Sequence, residues 1–333
     1  MRVEASAPGK MILFGEHSVV YGKPAVVLAI DRRAKVYAEK RKDKKIFIDA
    51  DNLGFSGYFE DDVYRPVRGR AWRGRNLAAL NVAAKKTMEY IGIDGGVNLK
   101  VRSMIPIAVG LGSSAAICVT TVSAVEHLFD GGLKNDEISN LAFEGETIIH
   151  GKPSGVDNNV STFGGVMSYD KENGIKRHQL DHDIPFIIGN TKKKRSTKKM
   201  VEKVAALKER NPEEMEGILD SMELIAESGL DALMKADRVR LGDLMNLNHG
   251  LLSSIGVSTM KLEILCHTSR NNGALGAKLT GAGGGGCMIA LADEPDIPNI
   301  ERAIRRRKSE SYRVSLTDRG VESKWVEDEN ADS

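Results

Sequence analysis

Residues 106–116 read Pro-Ile-Ala-Val-Gly-Leu-Gly-Ser-Ser-Ala-Ala. Gly110 and Gly112 allow close approach of the backbone to a ligand. A helix starting here would turn free N–H groups toward an anion. Ser113 and Ser114 suit capping or ligation. The stretch reads equally as a phosphate loop and as a tight turn whose serines only cap. It is not a P-loop, because Ser113 rather than Lys follows Gly112. The dinucleotide fingerprint matches at Gly110, Gly112 and Ala115, with Asp130 about 20 residues on. That fingerprint belongs to a strand–helix–strand unit. Here a second helical segment follows the first, which leaves a nicotinamide dehydrogenase as a minor alternative.

Other polar residues sit in similar settings. Lys10 follows the turn signal Pro8-Gly9, and Gly15-Glu16-His17 follows an apolar segment. Loops beside a rigid strand commonly carry sites, although Lys10 alone reads as a solvated lysine and His17 as a core histidine. Glu146 on a helix and Asp157 in the next loop could converge on a cation and a hydroxyl. Taken alone, they read as a surface carboxylate and an Asx-turn. Residues 278–287, Lys-Leu-Thr-Gly-Ala-Gly-Gly-Gly-Gly-Cys, are costly in chain entropy and point to close approach of backbone to a ligand or another loop. The basic run at residues 191–199 reads as a solvated helix start or as attraction for a phosphate-bearing ligand.

These residues need elements to hold them. Alternation at Val97, Leu99 and Val101 predicts a strand over 96–103, and helical spacing predicts a helix over 115–129. A second helix is expected over 135–150, then a sharply shaped loop over 150–159. A short first strand is expected over 3–7. Further strands are expected over 24–30, 34–40 and 45–50, paired antiparallel because their links are short. A basic loop over 65–75 and a helix over 76–91, stopped by Gly92, come next. Strands follow over 166–169 and 184–189, with a helix over 200–209. From 211 to 271 the chain reads as helical, broken near Gly229, at 236–237 and around Gly256. Strands over 276–279 and 287–291, a helix over 300–307 and strands over 312–316 and 320–326 close the fold. The polar tail 327–333 is expected to be disordered.

The bulk numbers set outer bounds. A chain of 333 residues suggests about two domains, with the change somewhere in 165–187. A net charge of +2 gives no strong pull toward nucleic acid or membrane. Only 5% of residues are aromatic, which disfavours base-stacking surfaces. Cys118, Cys266 and Cys287 are widely spaced and read as buried free thiols of a reducing cytosol. No signal-peptide core or membrane-length apolar run is present, so a cytoplasmic protein is expected.

Taken together, Pro8-Gly9-Lys10 with Gly15-Glu16-His17, residues 106–116 and residues 278–287 resemble the GHMP small-molecule kinases in order and spacing. Within that superfamily the chain is most similar to the mevalonate kinases. The likeness is carried by residues 7–22, residues 150–158 (His-Gly-Lys-Pro-Ser-Gly-Val-Asp-Asn), residues 194–198 (Lys-Arg-Ser-Thr-Lys), and Asn248-His249 with Gly256-Val257. It spans nearly the whole chain.

The resemblance implies an α+β fold of two domains with the site between them. The first, 1–175, would be ribosomal-protein-S5-domain-2-like, and the second, 176–326, ferredoxin-like. It implies transfer of the ATP γ-phosphate to the C5 hydroxyl of mevalonate. Pro106, Val109, Gly110, Leu111, Gly112, Ser113, Ser114 and Ala115 would hold ATP. Ser114 and Glu146 would hold Mg²⁺, a hard ion suited to oxygen ligands. Asp157 would accept or orient the hydroxyl proton, and Lys10 would favour ionised forms and the charge at the transferring group. Glu16, His17, His150 and Thr197 would bind mevalonate, with Gly281, Ala282 and Gly283 closing on the phosphates. Homodimers are a common assembly in the family.

The chain also departs from the family pattern. Ile117 replaces a frequent tyrosine. Lys193-Lys194 replaces a Val-Pro pair, which leaves room for a phosphorylated substrate such as phosphomevalonate. Galactokinases continue Glu-His-Thr-Asp where this chain has Glu16-His17-Ser18-Val19, and homoserine kinases typically lack the aspartate at 157. A non-catalytic, ligand-sensing relative is a further alternative.

Overall fold

A computed structural model describes residues 1–50, 54–60, 62–69, 74–106, 110–150, 154–193 and 196–327, without the side chains of 75, 76, 149 and 150. The chain opens with two long strands, β1 (Arg2–Phe14) and β2 (Ala25–Arg41), followed by β3 (Ile46–Ala50), β4 (Phe55–Glu60) and β5 (Val63–Arg68). Helix α1 (Arg75–Tyr90), strand β6 (Gly96–Ser103) and helices α2 (Ser113–Leu128), α3 (Asn135–His150) and α4 (Val156–Phe163) come next, then β7 (Val166–Asp170) and β8 (Gly174–His178). The second half is β9 (Phe186–Asn190), α5 (Thr197–Arg210), α6 (Pro212–Met234), α7 (Arg238–Ser254), α8 (Met260–Arg270), β10 (Ala274–Thr280), β11 (Cys287–Ala292), α9 (Ile297–Arg306), β12 (Glu310–Val314) and β13 (Glu322–Val326).

Two sheets result. The larger runs β13-β1-β2-β6-β3-β4-β5, with β7 on the first part of β2 and β8 beyond β7; the smaller runs β10-β11-β9-β12. The last strand returns to the first sheet, where Val3 lies opposite Trp325. The expected division at 175/176 therefore meets two crossings. It cuts β8, which pairs with β7, and it assigns β13 to the second half although β13 pairs with β1. Long-range pairing of this kind leaves no local mark in sequence.

Several expectations change for identifiable reasons. The turn expected at Pro8-Gly9 and the gap expected between two strands at 31–33 are one feature. In the β1–β2 ladder Pro8 faces Arg33 and Gly9 faces Ile30, so two residues of β2 bulge out. A bulge accommodates proline within a strand, and both strands continue. Strand β3 does not pair with β2, because β6 lies between them; β3 runs parallel to β6 and antiparallel to β4. The basic stretch expected as a loop from 65 is strand β5 as far as Arg68, and residues 70–73 lie outside the described residues. Gly229 does not break α6. A Cβ there would run into the Phe14 ring, so the glycine makes room for an aromatic side chain. The tail beyond residue 327 lies outside the described residues.

The core sits between the large sheet and its helices. Helix α2 is buried along most of its length, from Ala115 to Leu128. Its threonines satisfy themselves inside the helix, Thr121 donating to the Ile117 carbonyl at 2.8 Å and Thr120 to that of Ala116. A second core joins α5–α9 to the small sheet. All three cysteines are free and buried.

Candidate active site

The bulge at Pro8-Gly9 sets the start of the site, because it places Lys10 on β1 with only 6% of its surface exposed. Its backbone N–H donates to the Leu111 carbonyl at 2.9 Å. Gly112 lies over its side chain, where an added Cβ would come within 2.6 Å of Lys10 Cγ. The glycine loop is thus draped on the lysine. Gly112 is also the N-cap of α2, in the left-handed conformation at φ 72°, and it has no side chain to satisfy the first N–H groups. A buried helix with an uncapped start is a natural anion seat. Two residues in, the Ser114 hydroxyl is buried without a hydrogen-bond partner among the described residues. A buried orphan hydroxyl is costly unless a ligand completes it.

Lys10 Nζ reaches Asp157 Oδ1 at 3.0 Å. Asp157 lies in the first turn of α4, which starts after Gly155 at φ 78°. The loop expected here is a short helix, and its N-terminus favours a negative side chain. Glu146, on α3, is only 2% exposed. Burial, and next the charge of Asp157, push its pKa up to about 7 against the pull of Lys10. With its amide turned nitrogen-first, Asn158 donates to Glu146 Oε2, and its oxygen accepts from the Phe143 N–H at 3.3 Å. One lysine, two carboxylates and an unsatisfied hydroxyl therefore gather at the start of a helix.

The second half of the chain packs against β1 and the turn that follows it. Lys278 and Thr280 alternate with Leu279 on β10 and so share one face. Thr280 Oγ1 donates to the Ile12 carbonyl at 2.8 Å and accepts from the Ile12 N–H at 3.2 Å. Lys278 forms an ion pair with Glu16, both side chains at 0% exposure. His17 Nε2 lies 3.0 Å from the Ala282 carbonyl. The glycine run folds onto its neighbours. Gly284 N–H donates to Val257 at 2.8 Å and Gly286 N–H to Lys193 at 3.1 Å, and a Cβ on Gly283 would strike the Val257 carbonyl.

Family models match both halves of the chain, "GHMP kinases N terminal domain" over residues 76–165 and "GHMP kinases C terminal" over residues 230–310. The mevalonate kinase of Thermococcus onnurineus is 44% identical over 305 residues, which span 88% of this chain and 90% of that one. The mevalonate kinase of Pyrococcus furiosus is 41% identical over 320 residues, spanning 91% and 92%. The chain belongs to the mevalonate kinase family of the GHMP kinases. Solved structures agree. L. major mevalonate kinase in complex with R-mevalonate superposes with a TM-score of 0.81 at 29% identity, covering 93% of this chain and 94% of that one. The Methanococcus jannaschii mevalonate kinase gives 0.80 at 29% identity, covering 95% and 98%.

Within the mevalonate kinase family, ATP is the phosphoryl donor, and the sequence-derived site residues can be placed one by one. Lys10, Asp157, Glu146, Ser114, Gly110, Leu111, Gly112, Ser113 and Ala115 gather at the start of α2. Pro106 is partly buried at the end of the preceding segment, and Val109 lies outside the described residues. His150 ends α3, and its side chain is likewise not described. Thr197 is the exposed first residue of α5, whose Met200 thioether packs on Gly284. Glu16, expected to bind substrate, is buried and pairs with Lys278 through Oε1. Sequence reasoning missed Lys278 as a site residue. The available signal was a lysine between Ala277 and Leu279 in an apolar strand, since a buried charge requires a partner. A separate cleft of about 800 Å³ opens at the far end of α4, lined by Phe163, Arg177, Asp181 and Asp318 among others, and contains none of these residues. No described helix is long and apolar enough to cross a membrane.

Proposed function

We propose that the chain transfers the γ-phosphoryl group of ATP to the C5 hydroxyl of mevalonate, with Asp157 and Lys10 as its catalytic pair. The observation that carries this is the 3.0 Å contact between Lys10 Nζ and Asp157 Oδ1, set beside the uncapped start of α2. Phosphoryl transfer is mostly positioning and charge stabilisation. Asp157 receives or orients the proton of the attacking hydroxyl. The substrate oxygen then bonds to the γ-phosphorus, the bond to the bridging oxygen breaks, and ADP leaves. Lys10 stabilises charge at the transferring group and holds the Asp157 carboxyl in place. The N–H groups of residues 113–115 face the phosphates.

The residues also fit a magnesium ion. Ser114 Oγ is buried and unpartnered, and Glu146 supplies a nearly buried carboxylate, both hard oxygen donors. Among the described residues no group of three His, Cys, Asp or Glu forms a metal cluster. When bound, such an ion offsets phosphate charge. A coupled ADP-release assay compares mevalonate with phosphomevalonate, galactose and homoserine. Turnover confined to mevalonate supports the reading, and absence of turnover on mevalonate overturns it. Turnover on phosphomevalonate alone would instead assign the exposed Lys193 to a substrate phosphate.

A further inference from the structure

We infer that Lys278 and Glu16 are positioning residues for phosphoryl transfer: their buried pair latches the glycine loop of the second half onto the first motif and holds His17 in place. The inference rests on the kinase reading of the site.

The geometry begins at Glu16-His17. His17 has φ 64° and ψ −43°, and the Ser18 N–H donates to the Glu16 carbonyl at 2.8 Å. A two-residue hydrogen bond about a non-glycine residue at positive φ is the strained form of the γ-turn. Such strain persists only where the surroundings impose it, and it marks functional loops. Here it has a use. The reversal sends two consecutive side chains to one target, Glu16 to Lys278 on β10 and His17 to the Ala282 carbonyl two residues beyond the end of that strand.

The pair closes on the loop itself. Besides Lys278, the backbone amides of Glu16 and Gly281 favour the ionised Glu16 carboxylate against burial, which raises its pKa. Gly281 is the first residue of the glycine run. Lys278 also donates to the Leu279 carbonyl at 2.9 Å and lies 5.8 Å from the centre of the Phe14 ring, just before Gly15-Glu16. Both charges are sealed from solvent, with Lys278 on Glu16 Oε1 and Glu16 Oε2 left without a hydrogen-bond partner among the described residues. Their shared product is the placement of the loop that starts at Gly281 against the Gly15–His17 turn after β1. Small displacements of positioning groups cost rate steeply.

The test uses three full-length variants, Glu16→Gln, Lys278→Met and the double variant, in a double-mutant cycle. Both single variants are expected to lower kcat by about 100-fold with the mevalonate KM unchanged, and to lose amide-exchange protection at residues 281–286. The double variant removes both charges while conserving volume. It is expected to regain the wild-type melting temperature but not kcat, losing no more than the worse single variant. If a single variant fails to fold, the double variant decides. Wild-type kcat in the double variant, or wild-type exchange at 281–286 in Lys278→Met, overturns the inference. A raised mevalonate KM confined to Glu16→Gln also overturns it, by making Glu16 a substrate contact. The exchange measurement needs no substrate, so failure of the latch is distinguishable from failure of the mevalonate assignment, which the wild-type assay alone decides.

Discussion

Two lysine–carboxylate pairs stand within one short stretch of β1 and the turn that follows it, and they are opposites. Lys10 meets Asp157 with side-chain exposures of 7% and 34%, while Lys278 meets Glu16 with both at 0%. The first pair opens on the space before a helix start, where a substrate hydroxyl can reach the carboxylate. The second is shut between the two halves of the molecule. On the proposed reading, the same chemical partners serve reaction in one place and alignment in the other. Solvent access separates the two roles, because a group must be reachable to exchange a proton and must be fixed to hold a loop. Near the opening, Lys10 opposes the upward push of burial and Asp157 on the Glu146 carboxyl. In the sealed pair, burial drives Glu16 up and Lys278 down, each against the attraction of the other.

The contrast can be tested from its largest expected effect downward. Asp157→Asn should cut turnover by about 10³-fold, within the usual worth of a positioned base, and leave ATP binding and the melting temperature close to wild type. An ADP-release assay beside a nucleotide titration checks this; near-normal turnover would remove Asp157 from the chemistry. Glu16→Gln should behave in the reverse manner on stability, costing about 3–5 kcal/mol because it strands a buried lysine charge. Urea unfolding measures it, and an unchanged midpoint would show that Lys278 finds another partner or sheds its proton.

Gly229→Ala tests the packing behind the sealed pair. The added methyl would strike the Phe14 ring, against which Lys278 lies, so a loss of about 1–3 kcal/mol is expected from overpacking. Thermal unfolding of the variant reads it, and a wild-type melting temperature would mean that Phe14 can move freely. The smallest effect concerns His249 on α7. Its Nδ1 accepts from the Leu279 N–H at 3.2 Å, and Nε2 faces Glu263 at 3.3 Å, which fixes the neutral tautomer with its proton on Nε2. Burial first, and the nearby Arg270 and Lys278 charges, lower its pKa, against the pull of Glu263. The unfolded chain therefore binds the proton more readily. Stability is full above the ordinary value of 6.5 and falls as pH drops through it toward the lower folded value, then levels. Glu146, raised to about 7, contributes the opposite slope over the same range, so the His249 contribution is read as the difference between the unfolding curves of wild type and His249→Gln from neutral to mildly acid pH.

Elements governed by local signals were legible. The strand β6 at 96–103 and the helix α3 at 135–150 match the alternation and helical spacing residue for residue. The site's glycine loop, its lysine and its carboxylates were likewise visible as residue types. Other features were not. Helix α4 is only eight residues long, too short to show a period, and the turn signals at Gly151, Pro153 and Gly155 mask it. Strand β8 lies at the far edge of β7, where a half-exposed hairpin leaves little apolar pattern. Gly229 looked like a break because a sequence does not show the ring it accommodates.

By itself, then, the sequence determined the family and the set of groups available for phosphoryl transfer, since glycines, capping serines and charged residues at fixed spacings are written locally. The tertiary structure decided which of those groups could act. Glu16 and Lys278 are 262 positions apart, and only the packing of the small sheet's edge against β1 turned a residue resembling a substrate ligand into half of a sealed ion pair. Lys10, six positions earlier on the same segment, kept a partner open to solvent. A charge takes its role from its surroundings, and those surroundings are assembled from distant parts of the chain.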